Sequence, residues 1–107
     1  MTKFNIVRPN PEIIRLRYKI DKADKKVLKL LKKRFKLTER LVKAKMILDY
    51  PLEDPTREAE IKIKWLKIFK KAKTSPQFIE SLFTLVTQEA KDFQANYAKT
   101  HEKRFID

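Results

Sequence analysis

The 107-residue chain has no glycine, no cysteine and a single histidine, His101. Each absence removes chemistry. Without glycine no residue takes positive φ freely. That excludes phosphate-cradling loops, dinucleotide-binding turns, nucleophile elbows and Asn-Gly hairpins, and most common nucleotide enzymes with them. Without cysteine, and with one histidine, there is no disulfide framework, no Cys/His zinc site and no Cys–His nucleophile pair. Long uncharged apolar runs are missing too. The opening Met-Thr-Lys-Phe-Asn-Ile-Val-Arg is too short and polar for a signal peptide, and nothing after it would span a bilayer. The expectation is a soluble cytoplasmic protein with no membrane contact.

What is abundant is positive charge. Lys plus Arg number 27 against 14 Asp plus Glu, a formal net charge of +13. Such a balance suits a nucleic-acid binder, because neutralised phosphates release counterions, and it suits a small anionic substrate equally well. Lysine-laced helix faces also keep a protein soluble with no specific role, so charge alone selects no function. With 42% hydrophobic residues the chain is expected to form one domain over residues 1–107, with a flexible segment over 1–10.

Three of the five prolines follow an N-cap residue, at Asn10-Pro11, Asp54-Pro55 and Ser75-Pro76. Three helices are predicted from them. The first runs from about Pro11 to about Leu48 and stops before Asp49-Tyr50-Pro51, since a residue preceding proline avoids the α region. The second covers roughly Pro55 to Lys73 and the third roughly Pro76 to Lys103. In the first, a heptad seam runs through Ile13, Ile20, Val27, Arg34, Leu41 and Leu48, with Leu16, Ala23, Leu30, Leu37 and Ala44 between them. Only Arg34 breaks the stripe. Ile61, Trp65, Ile68 and Ala72 recur at helical spacing in the second helix, as do Ile79, Leu82, Phe83, Val86, Ala90, Phe93 and Tyr97 in the third. Neither repeats nor strand-like alternation occur.

Length then argues for two copies. A first helix of about 38 residues is about 57 Å long, whereas a compact chain of this size has a radius of gyration of about 13 Å. One subunit cannot cover that helix. The fold class expected is therefore all-α: a three-helix subunit with one very long N-terminal helix, intertwined as a homodimeric helical bundle.

Several polar residues stand out against this scaffold. Arg34 occupies a core-facing position, where a charge needs an anion. Lys45, eleven residues on, returns to nearly the same face, so the two cations suit a small anion; alternatively Arg34 pairs with a carboxylate such as Glu58 and Lys45 is one lysine among many. Arg17 lies about 25 Å from Arg34 along the axis, within reach of one ligand only if it comes from a second chain; otherwise it is a solvated partner of Asp21 or Asp24. Asp54 caps the second helix, with Arg57 and Glu58 in its first turn. Glu58 there suits a hydroxyl donor or the balancing of nearby arginines. Gln94 lies one turn after Ala90 on the third helix and projects an amide near the core, where it wants partners. His101 receives no role, and the aromatic residues are spaced for packing rather than base stacking.

Taken in order, these residues resemble the small all-helical class of chorismate mutase. The pattern is Leu16-Arg17-Tyr18-Lys19-Ile20-Asp21-Lys22-Ala23-Asp24, the run Val27, Leu28, Leu30, Leu31 and Arg34, then Val42-Lys43-Ala44-Lys45, the Pro51 loop, the Asp54, Arg57 and Glu58 cluster, and Leu82-Phe83 with Gln94. The resemblance covers most of the chain. It implies an intertwined dimer that converts chorismate to prephenate in phenylalanine and tyrosine biosynthesis, without metal or cofactor. By the same resemblance, Arg17 of the neighbouring subunit and Arg34 hold the substrate carboxylates. Lys45 meets a carboxylate and the ether oxygen, and Gln94 donates to that oxygen. Glu58 and the backbone at Asp54 hold the ring hydroxyl, and Arg57 lines the pocket. Where several members carry a polar residue against the ring carboxylate this chain has Ala90, which implies weaker substrate binding rather than lost activity.

Two alternatives accompany this reading. Isochorismate-pyruvate lyase uses the same fold on a similar dianion, but Glu58 after Arg57 follows the mutase pattern. A basic helical nucleic-acid-binding module would account for the charge but not for Arg34 in the seam or for the ordered polar set. The expected partners are chorismate and a second copy, not nucleic acid.

Overall fold

The computed structural model describes residues 10–70 and 72–106, with side chains described through His101 apart from residue 71. Helix α1 spans Pro11–Ile47, α2 Pro55–Phe69 and α3 Pro76–Ile106, and no strand occurs among the described residues. All three expected caps form. Asn10 Oδ1 accepts from the Glu12 N–H at 2.8 Å, Asp54 Oδ1 from the Arg57 N–H at 3.0 Å, and Ser75 Oγ from the Phe78 N–H at 3.3 Å. Each satisfies a helix-start donor that would otherwise lack a partner, at about 1 kcal/mol apiece.

The end of α1 uses a device that glycine normally serves. The Tyr50 N–H bonds the Lys45 carbonyl at 2.7 Å, the Asp49 N–H reaches the Met46 carbonyl at 3.4 Å, and Asp49 sits at φ 55°. This is a Schellman closure with aspartate in the left-handed position. Chain reversal here follows from the closure as well as from Pro51.

α2 ends four residues before the expected Lys73. The Lys70 N–H turns back to the Lys67 carbonyl at 3.3 Å and the Ala72 N–H to the Phe69 carbonyl at 2.9 Å, so three-residue closures tighten and end the helix. Beyond Phe69 only Ala72 continues the apolar stripe, too small a side chain to hold another turn by packing. α3 instead runs to Ile106, past the expected Lys103. Of residues 1–10, expected to be flexible, 1–9 lie outside the described residues and Asn10 caps α1.

The chain divides into two compact units, one of residues up to 34 and one from 35 onward. In the first, residues 11–34 of α1 are exposed except for half-buried Leu31 and Arg34. The second unit holds the core: Val42 of α1 with Ile79, Phe83 and Val86 of α3, each at most 6% exposed. Trp65 of α2 meets Phe83 edge to face at 5.5 Å, which closes the core from the α2 side. Farther along α3, Phe93, Tyr97 and His101 stack in succession, and Lys43 lies over the Tyr97 ring. His101 Nδ1 lies 2.9 Å from the Tyr97 carbonyl oxygen, so the lone histidine is engaged on its own helix.

Within this second unit α1 does not use its heptad seam. The covered residues are Phe35, Thr38, Val42, Lys45 and Met46, which fall along one stripe at helical spacing. Leu37, Leu41 and Leu48 of the seam stay 49%, 54% and 65% exposed.

Candidate active site

The Schellman closure turns the chain so that the loop after α1 passes back over the helix end. Lys45, half-buried, there donates from Nζ to the Leu52 carbonyl at 3.1 Å. An ammonium with three donors that spends one on a loop carbonyl has two more for an anion. The same bond joins the last turn of α1 to the segment leading into α2, which begins two residues after Leu52 with the Asp54 cap.

Asp54 is committed to α2 by both of its acceptors: its carboxylate caps Arg57, and its carbonyl accepts from the Glu58 N–H at 3.0 Å. Its own N–H lies outside the helical bonding pattern and is the backbone group of Asp54 suited to a ligand oxygen. Arg57 stands on the exposed side of α2, its Nη1 3.7 Å from Glu60 Oε2. Glu58, the next residue, is half-buried. Its Oε1 is 3.0 Å from Nζ of Lys91 on α3, with side chains 35% and 45% exposed. Lys91 was missing from the sequence-based set, because its partner lies on another helix and spacing along one helix carries no sign of it. Only the packing of α2 on α3 reveals the pair.

Ala90, beside Lys91, lines a small pocket of about 140 Å³ together with Phe35, Thr38, Glu39, Glu89 and Phe93. Specific small-molecule sites usually offer about 300–1,000 Å³, so this pocket alone is smaller than a full site. Gln94, one turn on from Ala90, is half-buried. In the N-terminal unit Arg17 is exposed and Arg34 half-buried, and burial lowers the Arg34 guanidinium from its ordinary value. Desolvation disfavours the charged form, but a guanidinium titrates so far above neutrality that Arg34 remains a cation at working pH. The second unit thus contains Lys45 of α1, the Asp54 cap, Arg57 and Glu58 of α2, and Ala90 and Gln94 of α3, whereas Arg17 and Arg34 belong to the other.

The model of one family, chorismate mutase type II, matches residues 16–95. The chain belongs to the chorismate mutase type II family. A curated chorismate mutase from Methanocaldococcus jannaschii is 27% identical over 93 residues, 87% of this chain and 94% of that protein. Membership makes the chain an enzyme, an isomerase, and its three strand-free helices agree with the all-α class. No helix among the described residues is long and apolar enough to cross a membrane. The matched span opens one residue before Arg17 and closes one residue after Gln94, so every residue singled out for the site lies inside it.

Proposed function

We propose that a single mutase domain works as a homodimer that converts chorismate to prephenate, for phenylalanine and tyrosine biosynthesis, each active site completed by Arg17 from the neighbouring subunit. The observation that carries the reaction is the coincidence of the family match with the polar set from Arg17 to Gln94. Support for two copies comes from α1. Val27 and Leu30 in the N-terminal unit are 60% and 66% exposed, and the seam continues through exposed Leu37, Leu41 and Leu48. An exposed apolar stripe of this length, broken only at Arg34, is a partner surface, and a second α1 is the partner of matching length and period.

The chemistry needs little apparatus. In the rearrangement the ether C–O bond breaks as a new C–C bond forms within the same molecule, with no nucleophile, metal or net proton transfer. An enzyme then has two tasks: to hold the reactive diaxial conformer and to stabilise charge building on the ether oxygen. Arg17 of the second subunit, Arg34 and Lys45 bind the carboxylates. Lys45 and Gln94 aim donors at the ether oxygen, where they favour the transition state over the ground state. Glu58 and the Asp54 N–H hold the ring hydroxyl, Arg57 borders the pocket, and Ala90 leaves the ring carboxylate one partner short. An acceleration of about 10⁶ requires about 8 kcal/mol, within reach of conformer selection plus two preorganised donors.

The test is to incubate the purified protein separately with chorismate and isochorismate and identify the products. Prephenate from chorismate supports the mutase. Pyruvate and salicylate from isochorismate, with no prephenate, would assign the fold to the lyase reaction instead. A folded dimer inert to both substrates would reject this reading.

A further inference from the structure

The ion pair between Lys91 and Glu58 joins α3 to α2 beside the proposed ring-hydroxyl position. With each side chain a third or more exposed, it contributes little to stability. Its geometry suits another task. Glu58 lies in the first turn of α2, and Lys91 lies three residues before Gln94, on the adjoining part of the same helix face. A bare glutamate in a site built for a dicarboxylate would repel its ligand. An ammonium 3.0 Å away cancels that charge and takes up one of the carboxylate's lone-pair positions, leaving others to accept from a hydroxyl.

We propose that Lys91 is a positioning residue for substrate binding, which holds the Glu58 carboxylate charge-balanced and aimed at the ring hydroxyl of the dianionic substrate. The inference rests on the mutase reading. Lys91 acts through Glu58, so its contribution is to binding and orientation rather than to charge on the ether oxygen, and it should register mainly in KM.

The experiment is steady-state kinetics on chorismate with the full chain as wild type, Lys91→Met, Lys91→Arg, Glu58→Gln and the double variant Lys91→Met/Glu58→Gln. Lys91→Met should raise KM about tenfold, as expected for one charge-assisted hydrogen bond left misaligned, with kcat changed about threefold at most. Lys91→Arg, which keeps charge and reach, should restore most of the binding. In the Glu58→Gln background the further effect of Lys91→Met should shrink to about twofold or less, since the two act as a unit. Equal KM penalties in both backgrounds would mean that Lys91 touches substrate independently of Glu58 and would overturn the inference. So would unchanged kinetics of Lys91→Met beside an active wild type. Inactivity of the wild type itself on chorismate would instead bring down the mutase reading, and this inference with it. Should Lys91→Met fold poorly by circular dichroism, the Lys91→Arg and Glu58→Gln pair decides: KM near wild type in the first and clearly raised in the second is expected, and the reverse refutes.

Discussion

Asp49 offers a direct test of how a chain without glycine ends a long helix. Its φ of 55° places an aspartate in the left-handed region, at the position where the closing bonds from Tyr50 to Lys45 and from Asp49 to Met46 leave no other backbone course. The left-handed region costs a residue with a Cβ roughly 1–2 kcal/mol, with Asp among the better tolerated. Glycine escapes that cost but loses about 0.5–1 kcal/mol more conformational entropy on folding. Asp49→Gly should therefore be worth a net gain of about 0.5–1 kcal/mol, or about 2–6 °C in melting temperature. The assay is a thermal melt followed by circular dichroism at one fixed protein concentration, because an oligomer's midpoint moves with concentration. Asp49→Val should move the other way, since a β-branched side chain suits positive φ least. A lower midpoint for Asp49→Gly, or a higher one for Asp49→Val, would refute the assignment of a strained cap. Activity should not change in Asp49→Gly, because the closure that delivers Leu52 to Lys45 is kept.

Leu30→Glu should abolish dimerisation and activity together: burying Leu30 in two symmetry-related copies is worth about 3–6 kcal/mol, or roughly two to four decades in the dimer dissociation constant, read by sedimentation equilibrium. A wild-type chain that sediments as a monomer at micromolar concentration would reject the dimer outright. Lys45→Ala and Arg34→Ala should each cost about 10²–10³ in kcat/KM while the dimer survives, and wild-type rates in either would remove that residue from the site. Ala90→Ser should lower KM; an unchanged constant would show that the missing hydroxyl is immaterial. The rate should be nearly flat between pH 5 and 8. Gln94 does not titrate, and burial lowers the Arg34 guanidinium only from a value far above neutrality, so both keep their charge state across this window. A steep fall in kcat there would count against Gln94 as the donor to the ether oxygen.

The sequence alone carried the three helix starts, because each cap-plus-proline pair is a local device whose hydrogen bonds close within three residues. It also carried the heptad seam, since period depends only on spacing, and the ordered polar set from Arg17 to Gln94. Where helices end was less legible. The stop of α2 after Phe69 and the left-handed Asp49 depend on backbone closures that compete with continued helix by small margins, and an apolar stripe drawn on through Ala72 overstated the packing available. Which face of α1 the chain itself covers was decided by tertiary structure alone. Phe35, Thr38, Val42 and Lys45 turn toward the chain's own core, leaving Leu37, Leu41 and Leu48 uncovered. Periodicity identifies an apolar stripe but not what will cover it. The same limit hid Lys91: a charge on one helix is matched by a charge on another only once packing has set the two helices side by side, and at 3.0 Å from Glu58 it is the packing of α3 on α2 that made the pair.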